Sequence, residues 1–265
     1  MSGSYEQILF ALADGVARIT LNRPERLNSL TDVMRGEISR ALDEARASAG
    51  LRGVVITGAG RGFCAGQDLA DRKPLPEGQR RDLSEGLRTG YRPLMERLRS
   101  MPAPVVCVVN GVAAGAGMSF ALACDVVFAA ESAKFVQAFS KIGLVPDMGG
   151  SWFLPRLVGE GRAMGMALFG ETLTARQAAD CGLIWRCVPD ADLQQTLDEV
   201  SATLAGAPTL ALAATKQALR ASGGNTLMQQ FDLEAELQRA MGYTDDYLEG
   251  MRAFAEKRPP RFTGR

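Results

Sequence analysis

At 265 residues, 46% of them apolar and 23% charged, the chain has the make-up of one globular domain, or of one domain with an appendage. Thirty basic residues balance thirty acidic ones, so net charge gives no case for nucleic acid or an anionic membrane as a partner. There is no histidine, and the five cysteines at 64, 107, 124, 181 and 187 form no Cys-x-x-Cys pair. This excludes a Ser-His-Asp hydrolase, argues against zinc, and suits reduced thiols in a cytoplasm.

The first residues, Met1 to Gln7, lack the basic and apolar regions of a signal peptide, so no secretory leader is expected. Ile8 to Ala13 and Val16 to Leu21 flank Asp14-Gly15 and predict a hairpin. Thr31 is the predicted N-cap of a helix running to about Ala47, with Val33, Ile38, Leu42 and Ala45 on one side. Strands are predicted at 53–57, 105–109 and 125–129, and helices near 86–100, 116–123 and 160–169. Asp71 to Glu85 is rich in charge and proline and reads as a mobile loop. Thr174 caps a helix ending near Gly182, and Val188 closes a further strand. From Ala191 the pattern is helical, over about 191–205, 208–222, 225–241 and 244–257. Alternation followed by a helical tail predicts an α/β core over 1–190 and a helical region over 191–265. Residues 105–124 have a membrane span's apolarity, but Asn110, three glycines and the strand-then-helix pattern argue against one.

Two of these strands run into glycine-rich loops. Val105–Val109 leads into Asn110-Gly111-Val112-Ala113-Ala114-Gly115-Ala116-Gly117 and then into a helix. Such a junction leaves backbone N–H groups free at the positive end of a helix dipole, and glycine lets a ligand come close. Phe120 stands where a dinucleotide fingerprint needs its third glycine, and no Gly-Lys-Ser/Thr follows, as a P-loop requires. Gly117-Met118-Ser119-Phe120-Ala121 approximates a nucleophile elbow but has no histidine to serve it. This loop alone leaves an anion site and a tight packing turn equally open. The second loop, Arg61-Gly62-Phe63-Cys64-Ala65-Gly66-Gln67-Asp68-Leu69, follows the strand at 53–57. Two loops that each aim one N–H at a single carbonyl oxygen would make an oxyanion hole.

The segments Phe63–Leu69, Asn110–Gly117 and Phe135–Gly150, in this order, resemble the enoyl-CoA hydratase/isomerase (crotonase) superfamily across nearly the whole chain. The resemblance implies a crotonase-like α/β spiral of ββα repeats with a C-terminal helical trimerisation region. It implies an acyl-CoA substrate, a homotrimer or hexamer, and no cofactor beyond the coenzyme A that the substrate carries. The implied oxyanion donors are the main-chain N–H groups of Gln67 and Ala116, the latter a glycine in many relatives. Ala65, Gly66, Asp68 and Leu69 would line the path of adenine and pantetheine, largely through backbone, with Gly115 in the same wall. Asp68 would be structural to the loop rather than a base. Glu256-Lys257-Arg258-Pro259-Pro260-Arg261-Phe262 resembles the tail that meets CoA phosphates, with Lys257 as its cation; a solvated basic tail is the competing reading.

Hydratases of the superfamily carry two glutamates, at positions that fall here on Ser119 and Phe139. Adding water across a conjugated double bond calls for one group to activate water and another for the α-proton, so hydratase activity is not expected. Asp147 stands nearby, in Gly143-Leu144-Val145-Pro146-Asp147, a segment similar to the 1,2-epoxyphenylacetyl-CoA isomerases. By residue type alone Asp147 reads as a helix N-cap after a proline turn. The resemblance makes it the acting carboxylate. One carboxylate can remove a proton on the thioester side and return it at the other end, while the oxyanion hole holds the enolate. Phe139, Leu144, Val145 and Trp152 are expected to desolvate Asp147, and Phe139, Leu144 and Trp152 to touch the substrate. The expected function is a CoA-thioester isomerase acting on 1,2-epoxyphenylacetyl-CoA. The alternatives are an enoyl-CoA hydratase or Δ3,Δ2-enoyl-CoA isomerase of fatty acid oxidation, and a non-catalytic CoA-ester-binding scaffold.

Overall fold

The Asp14-Gly15 turn closes the expected hairpin. β1 (Ile8–Ala13) pairs antiparallel with β2 (Val16–Leu21), from Ile8↔Leu21 to Ala13↔Val16. Both turn residues have positive φ, +50° and +75°, as a two-residue hairpin with right-twisted strands requires. The computed structural model describes residues 4–70, 76 and 78–265. α1 (Asp32–Ala47) starts where expected: Thr31 Oγ1 accepts the Met34 N–H at 3.0 Å. Its buried face carries Met34, Ile38, Ala41, Leu42 and Ala45. Val33, expected on that face, is 47% exposed. Met34 is one turn from Ile38 and shares its side, whereas a five-residue step puts Val33 well round the helix.

The remaining strands are β3 (Gly53–Gly58), β4 (Gly62–Cys64), β5 (Val105–Val109), β6 (Val112–Ala114), β7 (Val126–Ala130), β8 (Lys134–Val136), β9 (Thr172–Thr174) and β10 (Arg186–Val188). The helices are α2 (Ser84–Gly86), a π-turn over Leu87–Tyr91, α3 (Arg92–Arg99), α4 (Ala116–Ala123), α5 (Gly150–Val158), α6 (Glu160–Phe169) and α7 (Ala175–Asp180). They continue as α8 (Leu193–Ala205), α9 (Thr209–Ala221), α10 (Leu227–Met241) and α11 (Asp245–Glu256). Of the loop expected over Asp71–Glu85, residues 71–75 and 77 lie outside the described residues, and its end is already helical from Ser84. Among the described residues no helix is long and apolar enough to cross a membrane.

The strands form two sheets, ordered β1-β2-β3-β5-β7-β10 and β4-β6-β8-β9. Beyond the hairpin the first is parallel, and in the second only β9 runs antiparallel. Each successive pair, β3–β4, β5–β6 and β7–β8, gives one strand to each sheet. This is the ββα spiral that the resemblance implies. β5 is buried along its whole length, as suits a strand covered on both faces. The turn between β3 and β4 is held by two asparagines. Asn28 Nδ2 donates to the Ala59 and Gly62 carbonyls at 2.9 and 2.7 Å; Asn110 Nδ2 donates to Gly60 O at 2.8 Å and its Oδ1 accepts the Gly58 N–H.

In the C-terminal helical region, α8 lies on the larger sheet, with Leu197 and Leu204 packed among Val16, Val55, Val106 and Val108. α9 is tied down by charge. Lys216 Nζ meets Asp125 at 2.8 Å and the Met101 and Ala103 carbonyls at 3.1 and 3.0 Å. Arg220 pairs with the same carboxylate and with the Arg99 carbonyl. Asp125 also accepts the Val105 N–H at 2.8 Å, so it links the start of β5 to α9. The tail folds back on α11: Arg258 grips Glu249, and Asp246 accepts the N–H groups of Thr263 and Gly264.

Removing Asp125 leaves two mostly buried cations without their counter-charge. Breaking one side of a buried pair costs about 3–5 kcal/mol. Asp125→Ala is expected to lower the urea midpoint, at unchanged slope, by that free energy divided by the slope, read by circular dichroism. A midpoint within experimental error of the parent would show that α9 is held by its apolar contacts alone.

Candidate functional site

Two loops meet at the centre of the smaller sheet. β4 and β6 pair in parallel, Cys64 opposite Ala113, so the ends of both strands reach the same place. A Cβ on Gly117 would lie 2.7 Å from Cys64 Sγ and Cβ, and closer still to its carbonyl oxygen. A Cβ on Gly66 would lie 2.9 Å from Ala114 O and 3.5 Å from Ala116 N. Only glycine permits these approaches. Gly66 also has φ +96°, and Gly115 has φ +51° with ψ −124°, a region closed to residues with a side chain.

The expected oxyanion donors come together here. Ala65 N–H donates to Leu27 O, Leu30 N–H to Gly66 O, and Asp68 N–H to Leu30 O. Along an extended segment successive N–H groups face opposite ways, so the Gln67 N–H points away from that partner. Ala116 opens α4, and the first N–H of a helix has no partner inside it. Among the described residues neither N–H donates to a backbone carbonyl, although Gly115 N–H beside them donates to Val136 O at 2.9 Å.

Asp147 and Gln67 line one cavity of about 320 Å³, together with Arg35, Tyr91, Leu87 and Leu144. Asp147 is not a helix cap: Gly149 is the N-cap of α5, and Gly150 N–H donates to the Asp147 carbonyl at 2.8 Å. Two further carboxylates stand at the rim. Asp32 is paired with Arg35, and Asp82 accepts the Ser84 N–H at 2.8 Å, which with the Ser84 hydroxyl holds it below the usual carboxylate range. Tyr91 donates its hydroxyl to Gln67 Oε1 and takes the Arg35 guanidinium over its ring at 4.2 Å. Burial pushes the Tyr91 phenol well up, and nearby Asp147 adds to the shift. Tyr91 and Arg35 were missed by sequence reading. The π-turn that aims Tyr91 inward has no periodic signature, and an arginine beside Met34 on a buried helix face was the one available sign.

The hydratase positions are closed. Ser119 is wholly buried, its Oγ 2.6 Å from where a Cβ on Gly150 would stand. Phe139 packs its ring 3.6 Å from the Cβ position of Gly115, supporting that turn from below rather than lining the Asp147 cavity. Asp68 turns inward, to Arg23 at 2.8 Å, Ser29 Oγ at 3.1 Å and the Ala70 N–H at 3.0 Å. Burial alone would raise its pKa, but these donors outweigh it and hold the carboxyl below its ordinary value. Ala65 and Leu69 are exposed beside it, open to a ligand.

Besides Phe139, Trp152 and Lys257 are expected substrate contacts that are not at this cavity. Trp152 lies in a separate groove with Arg99, Asp125, Lys216 and Arg220, edge-on to Phe153 and covered by Arg156 at 4.1 Å. Two residues into α5, it faces away from the turn that carries Asp147. Lys257 caps α11 in the left-handed region (φ +54°), is exposed, and does not line the cavity within this chain. Of the four apolar residues expected to desolvate Asp147, only Leu144 and Val145 line its cavity, and Val145 is 78% exposed.

The family model of enoyl-CoA hydratase/isomerase matches residues 12–265. The chain is 50% identical to 1,2-epoxyphenylacetyl-CoA isomerase of Escherichia coli K12, over 98% of this chain and 99% of that one. It is 51% identical to a Rhodobacter capsulatus protein named "Probable enoyl-CoA hydratase", over 99% and 100%. Among solved structures, enoyl-CoA hydratase from Bacillus anthracis superposes with a TM-score of 0.89 at 32% identity, covering 98% of this chain and all of that one.

Gly117 is the most sensitive test of the loop contact. Gly117→Ala drives a methyl into Cys64 and is expected to cost about 1–3 kcal/mol of stability. By parting the two N–H groups it should lower thioester turnover about 10²–10³-fold. Gly161→Ala, on α6 with nothing within 4 Å of its Cβ position, serves as control and should stabilise by up to about 1 kcal/mol. Full activity in Gly117→Ala would show that the loops need not touch.

Proposed function

The chain belongs to the enoyl-CoA hydratase/isomerase family, and from that premise we propose that it is a CoA-thioester isomerase with Asp147 as its single proton-shuttling carboxylate. The reading is carried by one observation: Asp147 shares a cavity with Gln67 of the oxyanion loop, while Ser119 and Phe139 stand where a hydratase needs its glutamates. The thioester oxygen accepts the Gln67 and Ala116 N–H groups. Asp147 takes a proton from the α-carbon, and the C–H electron pair moves toward the carbonyl as an enolate. Asp147 then returns the same proton at the γ-carbon, the double bond shifts, and the enzyme is regenerated with nothing consumed. No cofactor is called for beyond the substrate's coenzyme A. The substrate we favour is 1,2-epoxyphenylacetyl-CoA, in which breaking the ring C1–C2 bond opens the epoxide to the isomeric seven-membered cyclic ether and gives the β,γ double bond on which this proton transfer acts; the 50% identity to the Escherichia coli isomerase and the Gly143–Asp147 segment support it.

Hydration is the weaker reading. The other two carboxylates of the cavity are committed elsewhere, Asp32 to Arg35 and Asp82 to the Ser84 N–H. For assembly we favour a homotrimer or hexamer. α10 buries none of its residues within one chain, and Leu227, Met228 and Phe231 are all at least 60% exposed. Apolar faces of this kind are normally covered by another subunit in closed symmetry. In such an assembly Lys257 would reach the coenzyme A of a neighbour. Five free thiols fit a cytoplasmic protein.

Asp147→Asn is expected to reduce isomerisation of a β,γ-enoyl-CoA by at least about 10³-fold with the Kd for the ester nearly unchanged. The parent should hydrate crotonyl-CoA at less than about one tenth of its isomerase rate, since general acid–base help of the second kind is missing. Both are followed by ultraviolet absorbance, and an active Asp147→Asn enzyme would remove Asp147 from the mechanism. Light scattering at micromolar protein should give three or six times the 28.3 kDa chain mass; a stable, active single chain would refute the assembly.

A further inference from the structure

The cavity that holds Asp147 carries more hydrogen-bond donors than a proton shuttle and an oxyanion hole use. The Tyr91 hydroxyl occupies Gln67 Oε1, which leaves the two amide hydrogens on Gln67 Nε2 without a partner among the described residues. Arg35 spends Nη2 on Asp32 and lies over the Tyr91 ring, but its Nε is buried with no partner among the described residues. Leu87 and Leu144 complete this part of the wall. An all-carbon acyl chain entering here would strip water from these donors and give nothing back. An oxygen on the acyl group would satisfy them. A site with buried donors rejects a ligand lacking the matching atom far more strongly than an apolar pocket rejects a missing methylene.

Charge narrows the class of oxygen. Asp32, Asp82 and Asp147 border the cavity against Arg35 and Arg81, so its lining carries one negative charge in excess. A carboxylate on the ligand would add to that excess, whereas an ether, epoxide or hydroxyl oxygen would not be repelled.

We propose that the Gln67 carboxamide, with Arg35 beside it, binds an uncharged oxygen on the acyl group, so that the cavity selects oxygenated acyl thioesters over all-carbon ones. Tyr91 is the positioning residue that holds the carboxamide in place. Its phenol, kept protonated by burial, remains a donor at any working pH. The inference rests on the reading of this cavity as the acyl site. It gives the Gln67 side chain a task distinct from that of its main-chain N–H.

The test is binding, which needs no turnover. Heptanoyl-CoA is compared by calorimetry with isosteres in which one methylene of the chain is an ether oxygen. The parent should bind its best ether about tenfold more tightly than heptanoyl-CoA. Gln67→Met keeps the main-chain N–H and should bring that ratio to about one. Tyr91→Phe should cut the ratio at least threefold while heptanoyl-CoA binds as before, an outcome that a merely structural role would not produce. Equal binding of all esters by the parent, or an unchanged ratio in Gln67→Met, overturns the proposal. Equal weakening of every ester by Tyr91→Phe overturns the positioning role. Absorbance with trans-3-heptenoyl-CoA reads the isomerase separately: an intact ether preference without turnover would sink that reading and leave this one standing.

Discussion

The approach of Cys64–Gln67 to Gly115–Gly117 sets the geometry of everything around it. Two peptide N–H groups can share one oxygen only if their loops touch, and touching here demands that Gly66 and Gly117 have no side chain. The contact buries Cys64 completely, which pushes its thiol up to about 12 and makes it an inert filler rather than a nucleophile. The rest of the spiral serves this contact. β4 and β6 bring the two ends side by side, Asn28 and Asn110 fasten the turn that feeds β4, and the Phe139 ring supports Gly115. Main-chain N–H groups have no side chain to lose, so their relative placement depends on packing.

Two aspartates near the site show how environment assigns their work. Asp68 follows the oxyanion loop and is wrapped by Arg23, Ser29 and the Ala70 N–H, which hold it ionised and unreactive. Three donors on one carboxylate make a poor base. Asp147 stands instead at the mouth of α5, half-buried in a cavity wall with Leu144. Its carbonyl, not its side chain, accepts the Gly150 N–H at the turn into the helix.

Much of this was legible in the sequence where signals are local. The Asp-Gly hairpin, the Thr31 cap, α4 and α6 fall on the residues that turn chemistry and periodicity name. The smaller sheet was not legible. Its strands are three residues each, too short for an alternating pattern, and they are held by parallel partners far away in sequence. α5 was missed because Gly149-Gly150 and Pro155 read as breakers, although proline is tolerated there and Gly149 takes the left-handed turn that starts the helix. The same gap misplaced Trp152, whose direction depends on the helix phase. Gln67 was assigned through its main chain alone. Its side chain acquires meaning only when a π-turn brings in Tyr91 and α1 brings in Arg35, three segments that no sequence pattern joins.

The absence of a glutamate at 119 does more than remove a catalytic group. Ser119 is fully buried against Gly150, and Gly150 anchors the turn that carries Asp147. A longer side chain at 119 would occupy the space that α5 now fills and push the Asp147 turn off α4. Phe139 does the equivalent on the other side, putting a ring under Gly115 where a hydratase would aim a carboxylate at water. The two replacements therefore belong together. Both positions are filled by packing, and the contact of Ser119 with Gly150 helps to seat the turn that carries Asp147.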